Sequence, residues 1–310
     1  MKLFILLLLF STQCFSQTIT TKQAGKLSKE IVDCIRKNSL FRDSLDLDKL
    51  ESDFKEHIDT FDTYKEVGYY YMRSLHKAGD KHSFYVQQKD LDNFSKKQKE
   101  NIEFSYKLLD GDIGYLNIPG FLSTDQNVIN GFADQIQDAI ATMDGSVTIR
   151  GWIVDLRNND GGNMWPMVLG LNPLIGKETA GYFKSNGKEP EPWKTSSPSG
   201  SLVLKRVYEL KAPATKIAVL YGPKTASSGE STAICFIGKP NTRSFGEATA
   251  GLTTANEIYN LGDGNIFVLA KSCEMDRNKN IYTGSLQPDV LIENSSGEEV
   301  IGKAKAWLLQ

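Results

Sequence analysis

Two adjacent serines stand in Tyr221-Gly222-Pro223-Lys224-Thr225-Ala226-Ser227-Ser228-Gly229-Glu230. The apolar run Ile217-Ala218-Val219-Leu220 before them reads as a buried strand, and Ser231-Thr232-Ala233-Ile234-Cys235-Phe236-Ile237 after them as a buried helix. A small-residue turn between strand and helix suits a nucleophile. The turn pushes a hydroxyl clear of the backbone, and the helix start offers free N–H groups and a positive dipole end. The same string also fits an ordinary helix start, because Ser227 three residues before Glu230 is a capping box.

Acyl transfer also needs a base and donors for an oxyanion. Of the three histidines, His57 and His76 fall on amphipathic helical stretches, where a structural role is the simpler reading. His82 stands in the loop Asp80-Lys81-His82-Ser83, at the exit of a helical region, and is the candidate general base. Asp160-Gly161-Gly162 follows the buried strand 148–156; glycines there can turn N–H groups outward, and the N–H of Ser228 would be the second donor.

The elements that must position these groups fall into two regions. Residues 18–78 carry apolar positions at helical spacing: Ala24, Leu27, Ile31 and Ile35, then Leu45, Leu47, Leu50 and Phe54, then Tyr64, Val67, Tyr70, Tyr71 and Leu75. Gly79 ends the last helix. Residues 86–103 are polar and Lys-rich and read as a solvated loop or short helix. From 104 strands alternate with helices: a hairpin turning at Asp110-Gly111-Asp112, a helix over 126–143, the strand 148–156 and a helix over 164–174. An irregular excursion over 177–215 has edge strands at 182–183 and 202–204. A hairpin over 258–270, a polar loop over 274–289 and a closing helix over 297–309 complete the chain. The alternation indicates an α/β core.

The 310 residues, 40% hydrophobic and 24% charged, suit one large domain or a core with a smaller one. A net charge of -2 without a charge block argues against a nucleic-acid partner. Residues 3–10 form an apolar run after Lys2, too short to span a bilayer, and read as the core of a signal peptide cleaved before Gln17. Lipoprotein anchoring through Cys14 is the weaker alternative, since bulky Gln13 precedes it. The mature chain would be exported and have no transmembrane span. It keeps Cys34, Cys235 and Cys273; an odd number leaves at least one thiol free. No Cys/His cluster suggests a metal.

Five strings resemble, in order, motifs of the C-terminal processing peptidase and tricorn-core family of serine peptidases. They are Ile113-Gly114-Tyr115-Leu116, the run 151–162 ending Asp160-Gly161-Gly162, Thr225-Ala226-Ser227-Ser228-Gly229-Glu230, Phe245-Gly246-Glu247-Ala248-Thr249-Ala250-Gly251, and Leu286-Gln287-Pro288-Asp289. The resemblance implies a crotonase/ClpP-like spiral α/β core over 101–310 and a small helical domain over 17–100. Leu252 stands where many members carry a catalytic lysine, so a Ser-Lys dyad is disfavoured. Asp80-Lys81-His82-Ser83 resembles the histidine-base branch instead. The short interval between His82 and Ile113 leaves no room for a PDZ domain.

The reading is an exported serine peptidase without cofactor or metal, acting on a peptide or protein. Ser227 is the nucleophile, His82 the base, and Gly161 or Gly162 with Ser228 the oxyanion donors. Asp276 is the nearest candidate to orient His82, with Glu274, Glu230 and Asp80 as alternatives and Ser83 as a substitute hydroxyl. The rival readings are a non-catalytic ligand binder of the same fold and a related esterase or amidase.

Overall fold

The computed structural model describes residues 18–90, 104–123, 125–193, 203–294 and 297–310. The signal-peptide reading and most of the Lys-rich stretch lie outside these residues. Three helices open the described chain: α1 (Thr21–Asn38), α2 (Leu47–Glu56) and α3 (Tyr64–Lys77). Each starts on a side-chain cap, from Thr20, Asp46 and Thr63, satisfying N–H groups the helix cannot bond itself. Their apolar stripes meet around Ile31, Phe54, Tyr71 and Leu75, and that cluster continues onto Phe267 and Leu269 of a distant strand. The helical region therefore shares its core with the rest of the molecule. α3 also lies against β1 (Phe84–Gln87) so closely that a Cβ on Gly68 would fall 2.3 Å from the Tyr85 ring.

The main sheet contains β2 (Ser105–Leu109), β3 (Ile113–Asn117), β4 (Gly151–Asp155), β7 (Lys216–Tyr221), β8 (Thr242–Gly246) and β12 (Val290–Leu291). Its spatial order is β12-β8-β7-β4-β3-β2, parallel except for the β2–β3 hairpin. Side chains alternate between faces. Trp152, Val154, Ile217 and Val219 pack under α4 (Gln126–Ser146) and α5 (Met164–Gly170). Ile153, Ala218 and Leu220 pack on the opposite side, with Ile301, Ala304 and Leu308 of α8 (Glu298–Leu308). Covering on both faces explains why these strands read as continuous apolar runs.

A second, antiparallel sheet is built on β10 (Asn265–Asp276). β1 pairs with the first residues of β10, β9 (Thr254–Asn260) runs along it from Ile266 to Cys273, β5 (Gly181–Ser185) and β11 (Ile281–Tyr282) pair with its second half, and β6 (Glu191–Pro192) extends the sheet beyond β5. Helix α7 (Ser228–Ile234) follows β7 directly.

The α/β class and the N-terminal helical region agree with the sequence reading. Three local expectations change. The helix over 164–174 breaks at Leu171 into α5 and α6 (Asn172–Ile175), with Pro173 in the first turn of the second. Val203 and Leu204 form no strand. That segment bonds to α4 instead: the N–H groups of Lys205, Tyr208 and Lys211 donate to Asp134, Gln137 and Asp144, each at 2.8 Å. The loop placed over 274–289 starts too early, because β10 runs through Asp276 with Glu274 and Asp276 both buried.

Candidate active site

The serine turn is held from three sides. Thr225 donates its hydroxyl to Leu156 O at 2.8 Å and accepts from Gly222 N at 3.0 Å, and Ala226 N donates to Asn159 O at 3.0 Å. These bonds lock the end of β7 to the loop after β4. Ser227 then adopts φ 53° and ψ -121°, outside the allowed regions for ordinary L residues. Such a conformation costs about 1–3 kcal/mol and persists only where its surroundings impose it. Glu230 is the main restraint. It is fully buried and accepts from Ser227 N at 3.0 Å, Leu252 N at 2.7 Å, Gly251 N at 2.9 Å and the Thr249 hydroxyl. Burial raises its pKa, and these four donors work against that rise. Leu252, in the lysine position of the resemblance, contributes only its backbone here.

The glycine loop lies directly against the serine. Gly161 has φ +108°, and a Cβ there would fall 2.9 Å from Ser227 Cβ. Its N–H donates to the buried Asn159 carboxamide at 3.1 Å. Ser228 Oγ donates to Gly162 O at 2.7 Å. Among the described residues, the N–H groups of Gly162 and Ser228 have no protein partner. Two free donors thus remain beside Ser227, while the Gly161 donor is occupied.

His82 is fixed from the other sheet. Its N–H donates to Asp80 at 3.0 Å, its carbonyl accepts from Asn256 at 2.9 Å, and its Nδ1 lies 2.9 Å from Thr254 Oγ1. Asp80 is fully buried and organises the loop rather than the ring, accepting also from Ser83 N and Ser83 Oγ. Ser83 in turn accepts from Ala270 N at 2.8 Å, so the loop is tied to β10. Burial lowers the His82 pKa; the bond to Thr254 and the charge of Asp80 only partly offset it. The ring is therefore neutral at pH 7, with Nδ1 engaged by Thr254. Thr254 lines the same cleft of about 930 Å³ as Ser227, Ser228 and Gly162.

Asp276 does not take the orienting place expected for it. Its carboxylate accepts from Asn278 N, Asn280 N, Asn280 Nδ2 and the Tyr282 hydroxyl at 2.8–3.0 Å, and so closes the turn between β10 and β11. Glu230 and Asp80 are committed as described, and Glu274 accepts from Ser231. None of the four carboxylates bonds to the His82 ring. The residue that does, Thr254, carried no signal in the sequence: its role arises from a pairing 172 positions apart.

Residues 112–292, more than half the chain, match Peptidase family S41. The chain is 30% identical over 265 residues to the nisin-resistance protein of Lactococcus lactis subsp. lactis, covering 84% of this chain and 81% of that one. Its fold resembles a lipoprotein from Streptococcus agalactiae, with TM-score 0.79, 25% identity and coverage of 92% and 96% of the two chains. It also resembles the photosystem II D1 C-terminal processing protease, with TM-score 0.60, 12% identity and coverage of 88% and 94%.

Proposed function

Because the chain belongs to peptidase family S41, we propose that it is a serine peptidase in which Ser227 is the nucleophile and His82 the general base. His82 Nε2 takes the Ser227 proton as Oγ attacks the substrate carbonyl, then returns it to the leaving amine. The N–H groups of Gly162 and Ser228 hold the oxyanion. Thr254 accepts from Nδ1–H, keeping the basic electron pair on Nε2; a hydroxyl thus stands where other serine hydrolases place a carboxylate. Water then cleaves the acyl-enzyme. No metal or cofactor enters these steps.

The observation that carries this reading is the strained Ser227 with two free N–H donors beside it and a neutral histidine tied to the same cleft. A ligand-binding protein of this fold has no need to hold a serine at that energetic cost. Trp165 and Phe183 form an apolar wall of the cleft, suited to a large apolar substrate side chain. The likeness to a nisin-resistance protein makes nisin the first peptide to offer. The likeness to a lipoprotein supports an exported chain, with cleavage before Gln17 or anchoring at Cys14. Incubating the chain with nisin and with a panel of unmodified peptides, followed by mass spectrometry of the products, tests the peptidase reading. Cleavage that Ser227→Ala abolishes is the expected result. Turnover of simple esters without any peptide cleavage would favour the esterase reading.

A further inference from the structure

Both peptide groups of Ser227 are tied to buried carboxyls. On one side its N–H donates to Glu230 at 3.0 Å. On the other its carbonyl accepts from Ser231 N at 3.0 Å and from Ser231 Oγ at 3.4 Å, and that hydroxyl also meets Glu274 Oε1 at 2.5 Å. Glu274 is 2% exposed, lies at the cleft, and its Oε2 has no partner among the described residues. A carboxylate with one oxygen buried and unbonded is strongly disfavoured, and a second carboxyl nearby disfavours it further. Resting on the reading of Ser227 as nucleophile, we infer that Glu274 is a positioning residue that, as the neutral acid and through Ser231, holds the nucleophile turn.

The proton inventory explains the link. The neutral acid donates O–H to Ser231 Oγ, which frees the Ser231 O–H to donate to the Ser227 carbonyl. Once Glu274 ionises, Ser231 must donate to Glu274 instead, and the Ser227 carbonyl loses its second donor. Burial pushes the Glu274 pKa up to about 8, against the Ser231 bond and with help from the Glu230 charge. The surrounding groups are otherwise engaged. Glu230 is held by four donors, Lys271 pairs with Glu257 at the cleft rim, and Arg277 donates to Cys235 O. Burial raises the thiols of Cys235 and Cys273, and His82, beyond Thr254, titrates below its ordinary value.

The test reads the turn itself. In the nitrogen-15-labelled full chain, the backbone amide signals of Ser227 and Ser228 are followed from pH 6.5 to 9.5. They should shift with a midpoint near 8. The shift should vanish in Glu274→Gln, and also in Ser231→Ala, which cuts the link at its other end and guards against a misfolded first variant. Amides that stay still in the wild type, or titrate equally in the variants, would overturn the inference. This readout does not require turnover. Kinetics supply the second arm: kcat should fall roughly tenfold per pH unit above the midpoint in the wild type, with KM unchanged, and should lack that limb in Glu274→Gln. A titrating turn in a protein that cleaves nothing would count against the peptidase reading alone.

Discussion

Ser227 holds a left-handed φ beside a glycine whose Cβ would collide with it, and on the proposed reading both features present its hydroxyl. Replacing it by alanine should lower kcat by about 10⁶-fold while leaving the fold intact, as measured by peptide turnover and circular dichroism. Thr254→Val keeps the shape but removes the hydroxyl that meets His82 Nδ1. It should lower kcat by roughly 10- to 100-fold, short of the 10²–10⁴ that loss of the base itself costs. The acid limb of kcat/KM has a definite sign. His82 must be neutral to act, and burial lowers its pKa below 6.5. Activity should therefore persist through pH 6.5 and fall only below it; a limb centred above pH 7 would contradict the burial argument. At this scale the sequence was uneven. Ser227, His82 and the glycine pair sit at chain breaks with local signatures, so they could be singled out from the string. Thr254, Asp276 and Glu274 carry none. Thr254 meets His82 and Glu274 meets Ser231 only once the chain has folded, whereas Asp276 closes the turn that follows its own strand.

The elements explain why those bonds exist. β10 pairs with four strands and carries the acids Glu274 and Asp276 into the interior, where each has a local partner. Polarity made the segment read as a loop; the ladder made it a strand. Burying Glu274 has a thermodynamic cost with a predictable sign. The unfolded chain loses this proton near pH 4.5 and the folded chain near 8, so between them the folded state holds the extra proton and stability declines as pH rises. The Tm of Glu274→Gln relative to wild type should therefore climb between pH 4.5 and 8 and level off above, in a series of melting curves. A difference independent of pH would contradict the buried-acid account. Strands β4 and β7 were legible because both faces are covered, which leaves a continuous apolar run as their mark.

On the scale of the whole molecule, the helical region and the α/β region share one hydrophobic cluster. The cluster under α1–α3 includes Phe267 and Leu269 of β10, and α3 touches β1 at Gly68. Calorimetry of the protein should show a single unfolding transition, and two well-separated transitions would contradict the shared core. Gly68→Ala forces a methyl into the Tyr85 ring and should cost roughly 1–3 kcal/mol. The same strand that completes the helical core also anchors the His82 loop through Ser83. Weakening this packing should thus reduce activity at temperatures below the main transition. The helical periodicity of residues 18–78 was readable from spacing alone. Its attachment to β10 was not, because that contact joins segments nearly 200 residues apart.

The central claim is that Ser227 is an activated nucleophile, and fluorophosphonate labelling tests it most directly. Wild-type protein at pH 7 should be labelled at Ser227, as read by peptide mass mapping, with labelling lost in Ser227→Ala and in His82→Ala. Folded wild-type protein that takes up no label, or carries it on another serine, would contradict the account.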